Sequence, residues 1–591
     1  MSSQTPIDPN CQRLRITRFE IAVFVATLLA CAVAMSRCMA GPDLWGHVQY
    51  GRDVLRDGLP ATTTYSYTAE GYRWINHENL AELVLAIGAD TIGPEAMLIA
   101  KCLLGLALMG LIARAAWKRG VSVLSTCLVM LLVSINLAYF WSLRPQLLSW
   151  VYYTALLILL SWCFEGWEGR CWLPWVERRE RASRPLPPLQ YSSWRMRLLW
   201  LAPVIFFFWA NSHGGFVAGW CIFVAYLGSR GFEAWQYRGR AASGLLRRFV
   251  MMVVASGLAT LINPYGPQLH FWLIESLGAP RPEILEWHAP NMLSGVMLPL
   301  WLILGAWLAV LLLTRRSRDL THLLILTLTL WQALTHQRHI PFFAIPFGFW
   351  MTTHVDSVLQ RFHIHNGMMS VVNRLRPAAM VPLVGAFCLV CVLLGYRLYG
   401  LLRELSVDRQ EYPVAAIQYM ADRDLKGRLV VTYNWAQYAI AAFGCGNAGS
   451  EGIRVSFDGR FRTCYPQQIV DMNFDFVLGN GKQRFRGPDS SAFDDDWVLQ
   501  YGEPDLVLVN RHQPHSINVM FRNRDQWTLL YQDKVAQVWG RAAKYDCPQS
   551  PHFIPVEFRC ITEEEQEGST PWPAMPVYGR MTSQLAGGGA P

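Results

Sequence analysis

Charge is what this chain has least of: only 16% of its 591 residues are Asp, Glu, Lys or Arg, against 52% hydrophobic residues, with 25 Trp among them. So little charge on so long a chain is unlike a water-soluble enzyme and excludes that class. A P-loop is also missing. The run Gly444-Cys445-Gly446-Asn447-Ala448-Gly449 fits G-x-G-x-x-G, but no helical pattern follows it, which removes a dinucleotide site. No cofactor and no metal are assigned. The net charge of +9 collects between apolar runs, so it reads as membrane topology and not as a nucleic-acid surface.

What is present is a succession of apolar runs. They cover 19–39, 95–117, 121–141, 146–164, 198–211, 216–229, 249–262, 296–313, 320–335, 340–355 and 378–399. At about 17 to 25 residues per crossing this predicts about eleven transmembrane helices, the pair around His213 being short. Arginine then sets orientation. Clusters at Arg13 to Arg18, Lys118 and Arg119, Arg170 to Arg197, Arg238 to Arg248 and Arg315 to Arg318 fall on alternate loops. Basic residues stay cytoplasmic, so the N-terminus is inside and an odd number of crossings puts the C-terminus outside, across the cytoplasmic membrane. A cleaved signal peptide is the lesser reading of the first run, which is longer than a signal core and carries Arg37 just before the cut.

Sorted this way, the unusual polar residues gather on the outer side. The loop 41–94 holds Asp43 and His47, four residues apart and on one face of a helix that Pro42 would open, then His77 and Glu78 just before the next run. Arg144, His213, Glu286, Arg338 and His339 stand at the outer ends of other runs, and Arg52 lies within the loop. Ionisable groups so close to the bilayer are costly unless they pair or line a cavity. Each also has a plainer reading: Asp43 as a helix-start carboxylate, Arg144 and Arg338 as snorkelling cations, Glu286 beside Trp287 as an interfacial anchor.

The loop reads Asp43-Leu44-Trp45-Gly46-His47, Gly58-Leu59-Pro60-Ala61, Ser66-Tyr67-Thr68 and Trp74-Ile75-Asn76-His77-Glu78; Asn211-Ser212-His213-Gly214-Gly215, Asn263-Pro264-Tyr265-Gly266 and Phe457-Asp458-Gly459-Arg460 come later. In this order the chain resembles the polytopic glycosyltransferases of the type C fold, nearest to a bacterial branch with a D-x-W-x-H and W-x-x-H-E outer loop. The resemblance implies a sugar donor linked to polyprenyl phosphate, transfer to a hydroxyl of a glycan, lipid or protein acceptor, and inversion at the sugar carbon. It implies an outer-loop carboxylate as general base, Asp43 first and Glu78 second, with His47 and His77 orienting it or stabilising the leaving phosphate. Arg144, Arg338 and Arg52 would meet the donor phosphate, with His213, Glu286 and His339 in the substrate site. The chain departs from many type C enzymes in having Leu44, not a second acid, beside Asp43. A transporter or flippase of a lipid-linked or anionic solute, and a non-catalytic envelope scaffold, are the competing readings.

The expected organisation is a tail at 1–18, a membrane domain at 19–402, an extracytoplasmic α/β domain at 403–547 and a disordered, Pro-, Gly- and Glu-rich tail at 548–591. Of 14 Cys, four (Cys445, Cys464, Cys547 and Cys560) fall in this outer part, where Cys445 with Cys464 is one of three possible pairings.

Overall fold

The computed structural model describes residues 17–167, 191–278, 280–364, 377–444, 452–481 and 484–578. Each expected apolar run coincides with helix. Among the described residues five stretches are long and apolar enough to cross a membrane: Gly93–Trp117, Gln146–Cys163, Phe216–Ala259, Gly295–Leu313 and Ala378–Arg403. Val123–Leu137 and Leu320–Thr335 are apolar and shorter. The third stretch is two helices, Phe216–Arg238 and Ser243–Ala259, which turn at Gly239 with φ 52° and pack on one another. A β-carbon is disfavoured at that angle, so glycine sets the turn. The run expected at 216–229 therefore continues as helix to Arg238.

Three helices lie within residues 17–91. The first, α1 (Arg18–Ala34), opens on Thr17, whose hydroxyl accepts from the Glu20 N–H while Glu20 reaches back to the Thr17 N–H. The second, α2 (Leu44–Asp57), comes after Pro42 and stops at Gly58, φ 83°. The third, α3 (Asn79–Thr91), begins directly after Glu78. Two apolar cores result. One is built within the helical bundle around residues such as Trp150, Tyr153, Trp209 and Phe343. The other joins α2 and the 41–94 loop to the C-terminal part of the chain.

That C-terminal part is α/β. Its main sheet is formed by β2 (Gly427–Val431), β3 (Ile453–Val455), β4 (Leu506–Asn510), β5 (Trp527–Gln532), β6 (Ala536–Arg541) and β7 (Cys560–Ile561), in the order β3-β2-β4-β6-β5-β7. Strands β3, β2 and β4 run parallel, whereas β6 is antiparallel to both β4 and β5. In β2 and β4 the stretches 429–431 and 506–509 are buried on both faces, as parallel strands joined by helices such as Val414–Asp422 and Tyr433–Phe443 are, whereas β3 exposes Arg454. The exposed edge of β3 is taken up by the loop: Tyr67 N–H donates to the Val455 carbonyl and Val455 N–H to that of Tyr65. Covering that edge removes a row of open backbone groups.

Disorder from residue 548 does not hold for 548–578. There β8 (Ser569–Pro571) pairs antiparallel with β1 (Ser406–Asp408), and Ile554 and Trp572 are buried. Trp45 of α2 lies 6.4 Å from Trp572, packs on Tyr412 and Tyr438, and donates from Nε1 to the Pro573 carbonyl at 2.8 Å. A segment too polar to build a core of its own is ordered by lending two apolar side chains to a neighbour's. Burying about 200 Å² of one such indole is worth about 5 kcal/mol before entropy is counted. Cys464, Cys547 and Cys560 carry free thiols, and Cys445 lies outside the described residues, as does most of the 444–449 glycine run.

Candidate functional site

The site begins where α2 crosses α3. A β-carbon on Gly51 would fall 2.3 Å from the Glu82 carbonyl oxygen and 2.7 Å from Ala86 Cβ, so the crossing requires glycine. His47 lies one turn before Gly51, and Glu78 and Glu82 lie one turn apart, so the close crossing brings the three together. His47 Nδ1 is 3.2 Å from Glu82 Oε1 and 4.0 Å from Glu78 Oε2. Asn76 Nδ2 donates to the other Glu82 oxygen at 2.6 Å, and the Asn76 N–H donates to Tyr265 Oη at 3.0 Å. Burial pushes the His47 imidazolium down, but the Glu82 hydrogen bond and the charges of Glu78, Glu82 and Asp43 outweigh it and hold it above its ordinary range. One oxygen or nitrogen from each of His47, Glu78 and Glu82 lies within 4.8 Å of the others, so this group can hold a metal ion.

Glu78 precedes α3 without capping it, which leaves its carboxylate free. Two more imidazoles face it: His213 Nε2 at 3.6 Å and His77 Nε2 at 3.9 Å. The tautomer of His213 is set by its other nitrogen. Gly215 N–H donates to Nδ1 at 3.0 Å, and Ser149 Oγ, which accepts from Trp209 Nε1 at 2.7 Å, lies 2.8 Å from it. An Nδ1 that accepts leaves the proton on Nε2, aimed at Glu78. Burial and the charges of Arg338, His77 and His47 push His213 well below its usual range, so it stands neutral.

Asp43 lies beside this pair. It precedes α2, yet its side chain makes no capping bond; it pairs with Arg144 Nη2 at 3.3 Å. Arg144 Nη1 donates to Glu286 Oε1 at 2.9 Å. One guanidinium thus ties the first loop to the 280–297 loop. Burial opposes its charge, but Asp43 and Glu286 raise its pKa further still.

Arg338 is different. Among the described residues it has no carboxylate at ion-pair distance; its guanidinium lies over the Trp287 ring at 4.6 Å, with Arg281 over the same ring at 4.5 Å. Burial lowers the Arg338 pKa even though Glu286, Glu78 and Asp43 act on it from a distance. Arg281 is lowered to about 10 by burial and by the like charges of Arg338 and Arg462. Beside them His336 and His339 each bury an Nδ1 with no hydrogen-bond partner. Burial and Arg338 push His339 down to about 3.

The structure therefore brings Asp43, His47, His77, Glu78, Arg144, His213 and Glu286 together, with Arg338 and His339 adjoining. Arg52 is not among them: it pairs with Asp90, near the C-terminal end of α3, at 2.6 Å, both half exposed. Sequence reasoning missed Glu82, Asn76 and Arg281. The spacing of Glu82, four residues after Glu78, is a signal that could have found it. The α/β region closes the site from above. A β-carbon on Gly459 would stand 3.0 Å from Asp43 Oδ1. Next to it Arg460 is gripped by Asp458 and Thr63 and lies over the rings of Tyr50, Tyr65 and Trp74 at 4.9, 5.0 and 4.5 Å.

No protein-family model matches this chain, and no curated protein does. Among solved structures it resembles the Archaeoglobus fulgidus oligosaccharyltransferase in its apo form, with TM-score 0.50 and 10% identity over 83% of this chain and 69% of that one. The same enzyme tethered by a disulfide to an acceptor peptide with the NVT sequon gives TM-score 0.49 at 10% identity, over 83% and 69% of the two chains. Its complex with an inhibitory peptide and a dolichol-phosphate gives 0.47 at 9%, again over 83% and 69%. At this identity the likeness is one of fold: an integral membrane protein of type C architecture, mostly helical, with a C-terminal α/β region.

Proposed function

We propose that this chain is a membrane glycosyltransferase that moves a sugar from a polyprenyl-phosphate donor to an acceptor hydroxyl, on the outer face of the cytoplasmic membrane. The observation that carries the reading is Arg338: a desolvated guanidinium without a carboxylate partner among the described residues, within electrostatic reach of Asp43, Glu78 and Glu286. An unpaired, partly buried cation is costly unless an anion completes it. The phosphate of a lipid-linked donor, entering from the bilayer, is such an anion, and the open Nδ1 atoms of His336 and His339 add hydrogen-bonding groups beside it. The fold likeness to an oligosaccharyltransferase supports the same class.

In this reading Arg338 and Arg144 hold the donor phosphate. The acceptor oxygen attacks the anomeric carbon from the opposite face, Asp43 takes the hydroxyl proton, and the bond from sugar to phosphate oxygen breaks with inversion. Polyprenyl phosphate leaves, its charge met by the arginines. Arg144 keeps Asp43 aimed, Glu286 keeps Arg144 in place, and Glu78 is the second candidate base. The partners are a lipid-linked sugar, membrane lipid, and a glycan, lipid or protein acceptor, with the N-terminus cytoplasmic and the α/β region outside.

The test is turnover of a panel of polyprenyl-phosphate sugars by the protein in nanodiscs. Transfer or donor hydrolysis by the wild type should fall about 100-fold or more in Asp43→Asn combined with Glu78→Gln. Full activity in that double variant would place the chemistry elsewhere.

A further inference from the structure

We infer that the cleft lined by Arg315, Arg316, Ser357, Gln360, Arg361 and His363 binds the phosphate headgroup of an anionic phospholipid. The cleft has a volume of about 310 Å³ and opens where two helices end, Leu298–Leu313 and Ile340–Arg361. The second helix starts beside His339 and runs for 22 residues. At about 1.5 Å per residue that is about 33 Å, the thickness of a bilayer core. The cleft therefore lies at the membrane face opposite the candidate site.

Helix C-termini carry partial negative charge, and two arginines answer it here: Arg361 Nη1 donates to the Leu313 carbonyl at 2.9 Å, and Arg318 Nη2 donates to that of Leu311. Arg315 and Arg316 are surplus to that role. Both are exposed, and their side chains make no hydrogen bond or ion pair among the described residues. The acids nearby in the chain are engaged elsewhere. Asp356 is buried and accepts from Ser122 Oγ at 2.6 Å, Ser125 Oγ at 2.8 Å and Gln360 Nε2 at 2.7 Å, while Asp319 pairs with Arg230. Ser357 Oγ accepts from the Arg315 N–H at 3.1 Å, which leaves its own proton to donate. His363, in the left-handed region at φ 54°, follows the helix end and adds an imidazole to the lining. Phosphate oxygens match these donors, and guanidinium groups suit them best.

The neighbourhood fits a lipid. Leu308 and Leu312, one turn apart on the helix that ends at the cleft, are 53% and 76% exposed, and Phe362 is exposed beside Arg361. Acyl chains can lie along that leucine face while the headgroup sits in the cleft. In the orientation proposed above this is the cytoplasmic leaflet, where anionic lipids create a negative surface.

The experiment is native mass spectrometry of the delipidated full-length protein in detergent, titrated with phosphatidylglycerol or phosphatidylcholine. Phosphatidylglycerol should be held about 10-fold more tightly. Arg315→Gln combined with Arg316→Gln should weaken its binding at least about 10-fold, the worth of one charged hydrogen bond. Neither side chain has a partner to lose, so Tm should stay as in the wild type. Arg247→Gln with Arg248→Gln removes the same charge from exposed positions near the Gly239 turn, outside the cleft, and should change binding under about 3-fold. Arg338→Ala, at the other face, should leave it as it is. Equal affinity of the wild type for the two lipids, undiminished binding in the Arg315 and Arg316 double variant, or an equal loss in the Arg247 and Arg248 variant or in Arg338→Ala overturns the inference. Displacement of the lipid by an equal concentration of glycerol phosphate also overturns it, because the site would then be one for a soluble phosphate. No sugar donor or acceptor is present, so failure here leaves the transfer reading untouched, and absence of transfer leaves this site untouched.

Discussion

Two clusters of buried charge lie at opposite ends of the helix Phe216–Arg238, and they are built differently. At the far end Arg230 is closed in: Nη1 donates to Glu233 at 3.0 Å and Nη2 to Asp319 at 2.6 Å, and Glu233 also receives Trp167 Nε1 and Thr321 Oγ1. Arg230 stands 14 residues beyond Phe216, about 20 Å along the axis from the turn that holds His213. At that near end the contacts are looser. Glu78 is faced by three imidazoles at 3.6 to 4.0 Å, beyond hydrogen-bond length, and Arg338 rests on an indole. A closed network holds helices together, whereas an open one keeps its binding capacity for something that arrives.

The comparison can be broken in order of expected effect. Arg230→Ala leaves Glu233 and Asp319 buried without their cation and should cost about 3–5 kcal/mol of stability, read as a large fall in Tm in detergent. Arg338→Ala should do the reverse. It removes a charge that no carboxylate partners, so Tm should hardly move, while affinity for a polyprenyl phosphate drops about 10- to 100-fold, the worth of a charged hydrogen bond of about 1.5–3 kcal/mol. A fall in Tm for Arg338→Ala equal to that of Arg230→Ala would erase the distinction between the two ends.

Acid sharpens the contrast at smaller scale. His339, lowered to about 3, is neutral in the folded chain, whereas the unfolded chain takes up a proton below about pH 6.5. Its contribution is therefore complete above pH 6.5 and is lost as the pH falls from there towards 3, by up to about 1 kcal/mol per pH unit. His339→Gln should flatten that part of the pH dependence of Tm, and an unchanged slope would show that His339 is not held neutral.

How much of this was legible beforehand depends on the range of each interaction. The helices were, because an apolar run carries its own evidence. The near-end residues were as well, since Asp43, His47, His77 and Glu78 fall within one loop and Arg144, Glu286 and Arg338 stand at run ends. Pairings over long separations were not. Nothing in the loop says that Arg52 would meet Asp90 and leave Arg144 to Asp43, and nothing near Trp45 says that its indole would meet Pro573 and order a tail too polar to fold alone. Arg230 fell between an apolar run and a basic cluster and was not singled out, and its role rests on Asp319, 89 residues on. Glu82 was within reach as the residue one turn after Glu78, but its burial against His47 depends on the close crossing at Gly51.

The most direct measurement is photo-crosslinking of a diazirine-bearing polyprenyl phosphate to the protein in nanodiscs, with the labelled peptides identified by mass spectrometry. Saturable labelling confined to the stretches around Asp43 to Glu82 and Arg281 to His339, competed by unlabelled polyprenyl phosphate and lost in Arg338→Ala, is the predicted result. Labelling that ignores Arg338, or that concentrates around Arg230 at the opposite end, would contradict the account.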